Sequence, residues 1–113
     1  MTEFEKIAQV FSIRLKNPIG QVYASLPNST YKIWMPWLDN KLHGQWLNEW
    51  DESAQEIRET NEDVLLKSGS ELKIDVGEKR LVWGRFEDGP KFIGVFQYQE
   101  DKSRKGIRIY KKI

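Results

Sequence analysis

The stretch RLVWGRFEDGPKFIGVFQYQ, residues 80–99, carries the clearest structural pattern in this sequence. Two β-rich segments flank Asp88-Gly89, a pair typical of tight hairpin turns because both residues tolerate the positive φ that such turns require. With this pair in the turn, Phe86 is predicted to lie opposite Lys91 on the neighbouring strand. The stretch therefore predicts an antiparallel hairpin.

The predicted register gives this hairpin two distinct faces. The first face carries Trp83, Arg85, Phe92, Gly94 and Phe96, and the second carries Val82, Gly84, Phe86, Ile93 and Val95. The second face is aliphatic and compact, so we expect it to face the core. A glycine within a strand removes side-chain packing and indicates a bulge, a sharp bend or the close approach of a backbone or ligand. The two glycines therefore predict a strongly bent sheet.

Strand-like segments continue on both sides of the hairpin. These segments either alternate apolar and polar residues or are rich in β-forming residues and end at turn residues. They lie at 11–16, 21–26, 30–35, 64–67, 72–76 and 106–113. Such short runs, separated by glycine, proline and asparagine, are typical of antiparallel sheets. Their spacing predicts a meander that includes the hairpin.

A short amphipathic helix is predicted at the start of the chain. Thr2 and Glu5 have the spacing of a capping box, which satisfies free amide groups at a helix N-terminus. Apolar residues then follow the helical repeat at Phe4, Ile7, Ala8 and Phe11. This spacing predicts a helix with one buried face.

Two further helices are predicted between the early and late strands. Pro36 is suited to the first position of a helix over 36–50, which places apolar residues at steps of four at Leu38, Leu42, Trp46 and Trp50. Ser53 and Glu56 form a second capping box and predict a polar helix over 54–60. The predicted fold class is therefore α+β, with a strongly bent antiparallel sheet or a partly open small β-barrel and two or three short helices.

Composition indicates one domain over residues 1–113, because 113 residues with 39% hydrophobic content suit a single core. The chain has no cysteine, which excludes disulfides and zinc-thiolate sites. The first ten residues lack the pattern of a signal peptide, and no apolar run reaches the length of a membrane span. We therefore expect a cytoplasmic location and no membrane partner.

The hairpin GRFEDGPKFIGVF (84–96), the charged loop after it and the closing strand GIRIYKKI (106–113) resemble the late strands of PUA-like β-barrels, which include EVE, ASCH and YTH-type modules. The resemblance rests on Phe92-x-Gly94-x-Phe96 and a basic final strand, and it covers the C-terminal third of the chain. Such modules bind RNA or DNA, and several hold a modified base in an aromatic cage. The resemblance therefore implies a nucleic-acid-binding domain rather than an enzyme.

The residues themselves point to the same function. Seven acidic residues oppose one arginine over 49–63, whereas ten basic residues oppose four acidic ones over 79–113. Basic side chains neutralise phosphates, and aromatic rings stack on unpaired or flipped bases. The candidate stacking residues are Tyr31, Trp34, Trp37 and Trp83, and the candidate phosphate-binding residues are Arg85, Lys102, Arg104, Lys105, Arg108 and Lys111.

Their arrangement is predicted only in outline. Arg108 and Tyr110 are expected on the same side of the final strand. Trp34 and Trp37, at a strand-to-helix junction, are expected to stay partly open to solvent. The predicted partner is DNA or RNA with a modified or unpaired base.

Two other functions remain open from the sequence. The tryptophans are suited to anchor a protein interface, which predicts a homodimer or a larger protein complex. Glu71 and Lys73, with Asp63 before them, have the residue types of a Mg²⁺-dependent nuclease. Neither pattern is specific, so we predict no catalytic residue, no metal site and no cofactor.

Overall fold

The computed structural model describes residues 3–11, 23–26, 29–62, 76–104 and 106–113. This part of the chain contains the helix α1 (Glu3–Val10), the strands β1 (Tyr23–Ser25), β2 (Lys32–Trp34), β3 (Leu42–His43), β4 (Trp46–Asp51), β5 (Glu56–Asn61), β6 (Lys79–Phe86), β7 (Gly89–Tyr98) and β8 (Ile107–Lys112), and a 3-10 turn (Glu100–Lys102). Of the described helices, none has the length and apolar character needed to cross a bilayer. The predicted strand at 64–67, and most of those at 11–16 and 72–76, lie outside the described residues.

The strands form one sheet in the order β1-β2-β6-β7-β8-β5-β4-β3. Neighbouring strands are antiparallel except β2 and β6, which pair in parallel. The prediction of a predominantly antiparallel sheet is confirmed. The described residues have fewer helices than predicted.

The sheet is strongly bent, as contacts between distant strands show. Trp34 on β2 packs against Tyr110 on β8 with ring centroids 4.9 Å apart. Trp50 on β4 packs against Phe96 on β7 at 5.4 Å. Each pair skips two intervening strands, so the sheet must curl to bring them together. These side chains form the core of the concave face with other buried apolar residues.

The hairpin between β6 and β7 forms, but the predicted register is wrong. Phe86 pairs with Gly89, not with Lys91, because Glu87 and Asp88 make the turn and Gly89 follows it with a φ of 115°. Farther along, Trp83 pairs with Phe92 while Val82 pairs with Gly94, so Ile93 is the extra residue of a β-bulge. Of the three features that the strand glycines indicated, a bulge, a sharp bend or a close approach, the bulge is present.

This bulge reverses the predicted assignment of Phe96. Without it, Phe96 shares a face with Trp83, whereas in the structure Phe96 pairs with Arg80 and is fully buried on the concave face. One inserted residue moves every later side chain of the strand to the opposite face, because strand side chains alternate with a period of two. The structure thus has Phe92 and Phe96 on opposite faces of β7.

Gly94 is predicted to be required at the bulge. Its φ is 130°, and a Cβ built there would lie 2.6 Å from Cε of Lys112. We expect Gly94→Ala to lower the free energy of unfolding by about 1–3 kcal/mol, because an L-residue is strained at this φ. Urea denaturation measures this loss. Gly94→Ala in a Lys112→Ala background should lose a similar amount, and an unchanged unfolding midpoint in both would contradict the strained backbone.

The helix predicted over 36–50 is wrong, because this segment forms β3 and β4. A step of four residues fits a helix face, but it also equals two full periods of a strand. Trp46 and Trp50 therefore share one face of β4, with Asn48 between them. The turns before and after β3 contain Asn40 and Gly44 at φ of 58° and 65°, which no helix accommodates.

The helix predicted over 54–60 is also wrong. Asp51 accepts hydrogen bonds from the Ser53 hydroxyl (2.7 Å) and the Ala54 amide (3.1 Å), so the turn takes the amide that a helix cap would use. Gln55 has a φ of 55°, and β5 begins at the next residue. The Ser53 and Glu56 spacing is thus a hairpin turn instead of a capping box.

Helix α1 forms as predicted and covers the convex face of the sheet. Phe4 and Ala8 are buried, and they form a second core with Ala24, Ile33 and Met35. Phe11, Leu81 and Trp83 pack around this cluster. The sheet therefore has apolar packing on both faces, and it is the concave face that also carries buried polar residues.

Candidate nucleic-acid interface

Four polar residues meet on the concave face of the sheet: Asn48, Glu59, Arg80 and Arg108, which we call the concave polar cluster. Strand register builds most of it, because Asn48 on β4 pairs with Glu59 on β5, and Glu59 pairs in turn with Arg108 on β8. Arg80 reaches the same region from β6. Asn48, Glu59 and Arg80 are 7%, 6% and 5% exposed, unusual burial for such side chains.

Glu59 is the anionic centre of the cluster. Its Oε1 atom accepts hydrogen bonds from Nη1 of Arg108 and from the Tyr110 hydroxyl, both at 3.2 Å. Burial raises the pKa of Glu59, although the charges of Arg80 and Arg108 oppose this shift. Burial also raises the pKa of Tyr110 well above its ordinary value, so its hydroxyl remains a donor.

Arg80 is enclosed by aromatic rings. Its guanidinium carbon lies 4.5 Å from the centroid of Tyr23 and 4.6 Å from those of Trp34 and Tyr110. Its Nε donates to Oε2 of Glu78 at 2.8 Å, in a pair that is buried on both sides. Burial by itself lowers the pKa of Arg80. The nearby Tyr110, Glu59 and Glu78 have a larger opposite effect, so the pKa of Arg80 is raised. Arg80 therefore stays cationic.

Asn48 has an unused acceptor. Its Oδ1 atom is buried and receives no hydrogen bond from any residue in the described part of the chain. Leaving a buried acceptor unsatisfied is unfavourable, so such an atom in a native fold calls for an explanation. Trp46 lies on the same face two residues earlier, and the Arg108 guanidinium lies over its ring at 5.3 Å. A flat polar ligand would find an acceptor, an aromatic ring and a cation here.

The structure brings two of the predicted site residues to this cluster, Trp34 and Arg108. The expectation that Trp34 is partly open to solvent is wrong: it is 3% exposed, because it lies inside the curl of the sheet against Tyr110. Arg108 and Tyr110 share one side of β8, as predicted, since they pair with Glu59 and Ile57 on the same face of β5.

Trp37 and Arg85 lie in a separate stack. The Trp37 ring stacks on His43 at 4.8 Å and 7° and lies 4.1 Å from the Arg85 guanidinium. Asp39 accepts a hydrogen bond from His43 at 2.9 Å, and Nε of Arg85 donates to the Met35 carbonyl oxygen at 3.1 Å. Trp37 is 37% exposed, but these contacts occupy much of its ring. The stack joins β3 at one end of the sheet to the segment that pairs with β6.

The remaining predicted residues are distributed over the surface. Tyr31 lies under the Lys79 ammonium, and Trp83 packs on the convex face against Phe11 and Phe92. Lys102 pairs with Glu56, whereas Arg104 and Lys111 are exposed and Lys105 lies outside the described residues. The described residues of this group do not form a single site with the concave polar cluster.

Three members of the concave polar cluster, and the neighbouring Trp46, were not among the site residues predicted from sequence: Asn48, Glu59 and Arg80. Asn48 and Glu59 were hidden because their segments were predicted as helices. Once both segments are strands, Asn48 lies between two inward tryptophans, and Glu59 lies between Ile57 and Asn61 on the buried face. A polar residue at an inward position of an alternating strand is the signal that identifies them.

A protein-family model matches nearly the whole length of the chain. The model of the SRA domain, the SET and RING associated domain, matches residues 2–113. The chain belongs to this family. SRA domains are PUA-like modules that bind DNA carrying a modified cytosine, with the base flipped out of the duplex. The predicted function, a nucleic-acid-binding module that recognises a modified base, is confirmed by this membership.

One solved structure resembles this chain over nearly its whole length. The 5-hydroxymethylcytosine-specific restriction enzyme AbaSI superposes with a TM-score of 0.70 and 25% sequence identity, over 96% of this chain. The match covers 36% of that enzyme, so this chain spans about a third of its length. No curated protein matches the sequence significantly. The resemblance to PUA-like barrels therefore extends over the whole chain, not only its C-terminal third.

The SRA domain is a binding module, whereas AbaSI is a restriction enzyme. Within the described ranges, no three histidine or acidic side chains are grouped so that they could hold a metal ion. The nuclease pattern of Asp63, Glu71 and Lys73 lies outside those ranges. The alternative of a dimer or protein complex stays a prediction.

Proposed function

We propose that the concave polar cluster is the pocket that receives the flipped, modified cytosine. The observation that carries this proposal is the buried Oδ1 atom of Asn48, which accepts no hydrogen bond within the described chain. A ligand donor at this atom would satisfy it. Asn48 is adjacent to Glu59, so the pocket offers two neighbouring acceptors.

The acceptors match the donors of a modified cytosine. Cytosine carries an exocyclic amino group at position 4, which is a donor, whereas thymine carries an acceptor there. A hydroxymethyl group at position 5 adds a hydroxyl donor next to the amino group. Oε2 of Glu59 and Oδ1 of Asn48 are suited to accept from these two groups. Arg108 supplies N–H donors for the acceptor atoms of the base.

The aromatic residues suit a flipped base. Enzymes and domains that take a base out of the stack replace stacking energy with protein side chains and read the Watson–Crick edge. Trp46 is half-buried on the concave face, next to the acceptors. We propose that it stacks on the base, while Trp34 and Tyr110 form the floor beneath Arg80.

The proposed ligand is 5-hydroxymethylcytosine in double-stranded DNA. The cluster's paired acceptors support it, and so does the specificity of AbaSI, the similar structure. The exposed Arg104 and Lys111 are proposed to contact phosphates. We propose recognition alone for this domain, and any cleavage of DNA would belong to other parts of a longer protein.

Binding to short duplexes tests this function. We expect a duplex with one 5-hydroxymethylcytosine to bind more tightly than the same duplex with cytosine, measured by fluorescence anisotropy at fixed salt. Asn48→Ala should weaken binding to the modified duplex by about tenfold, the size of one lost hydrogen bond to a buried acceptor, and should leave the cytosine duplex unchanged.

Glu49→Ala is the matched control, because Glu49 is the next residue of β4 and is exposed on the opposite face. It should change the affinities for both duplexes by the same factor. Equal binding of the modified and unmodified duplexes by the parent protein would refute the proposed function.

A further inference from the structure

Arg80 occupies a position that binding alone does not explain. It is buried among the rings of Tyr23, Trp34 and Tyr110. Tyr110 links Arg80 to the proposed pocket, because its ring contacts the guanidinium and its hydroxyl donates to Glu59. The nearest acid to Arg80 is Glu78, at 2.8 Å. Solvent screens an enclosed cation only weakly, so its charge also acts on Glu59 on the other side of Tyr110, where it opposes the effect of burial on the Glu59 pKa.

The charges around Glu59 come from three strands. Arg108 and the Tyr110 hydroxyl face it from β8, and Asn48 faces it from β4. On β6, Arg80 contacts the Tyr110 ring and is paired with Glu78. Arg108 is partly exposed, with 14% of its side chain accessible, whereas the side chain of Arg80 is 6% accessible. Solvent therefore screens Arg108 more than Arg80.

We infer that Arg80 is a positioning residue that keeps Glu59 ionised, and that the ionised carboxylate makes the pocket select cytosine-type over uracil-type bases. This inference rests on the proposed function of the same pocket. It gives one member of the concave polar cluster a role beyond contact with the base, because a buried cation fixes the hydrogen-bonding character of Glu59.

The selection follows from which atoms carry protons. An ionised carboxylate only accepts hydrogen bonds, so it pairs with the amino group at position 4 of cytosine and repels the oxygen at that position of uracil. A protonated carboxyl group also donates, so it can bond to either base. Protonation of Glu59 therefore removes the distinction.

The direction of the pH effect can be worked out from the surroundings. Burial raises the pKa of Glu59, and the charges of Arg80 and Arg108 lower it. Removing Arg80 takes away one of the two opposing charges, so the pKa of Glu59 should rise further. As pH falls, the preference for cytosine-type bases should therefore disappear at a higher pH in a variant without Arg80 than in the parent protein.

The first experiment measures Glu59 directly in the DNA-free protein. The side-chain carboxyl carbon is followed by ¹³C NMR against pH and assigned by its loss in Glu59→Gln. We expect Arg80→Met to move the titration midpoint to higher pH, and Arg80→Lys, which keeps the charge, to stay close to the parent. An unchanged midpoint in Arg80→Met would overturn the inference.

Two further variants keep this test decisive. Arg58→Met removes an arginine from the exposed face of β5, beside Glu59 in sequence, and should leave the midpoint unchanged. Arg80→Met alone leaves Glu78 buried without its cation, which threatens the fold. The double variant Glu78→Gln, Arg80→Met removes both charges together and should show an upward movement smaller than that of Arg80→Met, because the loss of the Glu78 charge offsets part of the loss of the cation.

The second experiment measures selection. Affinities for duplexes with one 5-hydroxymethylcytosine or one 5-hydroxymethyluracil are compared from pH 5 to pH 8. We expect the parent to prefer the cytosine form by about tenfold or more at the alkaline end, with the ratio falling towards one as pH falls. Arg80→Met should lose the preference at higher pH than the parent, and Arg80→Lys should restore it.

The outcomes separate the two proposals. If neither modified duplex binds better than unmodified DNA, the proposed function fails, and the NMR titration still decides whether Arg80 controls Glu59. If the modified cytosine binds but the ratio is independent of pH and of Arg80, the function stands and the inference fails.

Discussion

Glu59→Gln is expected to lower the affinity for a 5-hydroxymethylcytosine duplex by about 10- to 100-fold, because it removes a buried charged acceptor from the proposed pocket. The carboxamide keeps the shape of the side chain but offers one acceptor in place of two. It also leaves Arg108 without its buried counter-charge, since their ion pair at 3.2 Å is lost. Fluorescence anisotropy with modified and unmodified duplexes measures the change.

Glu49→Gln provides the control for this substitution. Glu49 is exposed on the other face of β4, so removing its charge should affect every duplex equally and by a small factor. If Glu59→Gln instead weakened binding to modified and unmodified DNA by the same factor, Glu59 would act on the DNA backbone or the fold and not on the base.

The same substitution should change how stability depends on pH. Because burial raises the pKa of Glu59 in the folded protein, the folded state holds this proton more tightly than the unfolded chain. The contribution of Glu59 to stability is therefore full below its unfolded pKa and is lost as pH rises through its folded pKa. The stability of Glu59→Gln should not show this decrease with rising pH. Thermal unfolding of the parent and the variant across a range of pH measures the difference.

Phe96→Ala is expected to lower the free energy of unfolding by about 3–5 kcal/mol, the usual cost of removing a buried phenylalanine from a core. Phe96 is fully buried on the concave face and packs against Trp50. Phe96 also pairs with Arg80 across β6 and β7. Urea denaturation, with the slope compared to the parent, measures the loss.

Phe92→Ala is the matched control on the same strand. Phe92 is 54% exposed on the convex side, so its loss should cost less than about 1 kcal/mol. The contrast tests the bulge directly, because without the bulge both rings share a face. Similar losses for the two variants would contradict the register found here.

Part of the candidate site was readable from sequence, for a physical reason. Arg108 and Tyr110 lie on a strand whose alternation is unambiguous, so their shared side followed from the period of two. The sequence also indicates Trp34 as a candidate stacking residue, but its burial depends on Tyr110, which is distant in the chain and contacts it only because the sheet curls.

Asn48 and Glu59 show where sequence reasoning failed. Trp46 and Trp50 are separated by four residues, a step that satisfies both a helix and a strand, and the capping-box spacing at Ser53 strengthened the wrong choice. Pairing with β8, far along the chain, makes β5 an interior strand and selects the extended form. Local propensity carries no information about that partner.

Features that depend on neighbouring residues were predictable from the sequence. The helix α1, the hairpin around Asp88-Gly89, the bending of the sheet at the strand glycines and the class of the fold all follow from spacing and turn chemistry over a few residues. These interactions are short-range, so the local pattern is sufficient to specify them.

Which polar residues are buried together depends on the packing of the whole sheet. Asn48, Glu59 and Arg80 come from three strands, and the pairing and the curl of the sheet bring their side chains to one face. In β7, the bulge at Ile93 likewise places Phe96 on that face. Burial depends on partners distant in sequence, and a single inserted residue reverses a face. The concave polar cluster therefore exists only once all the strands are in register.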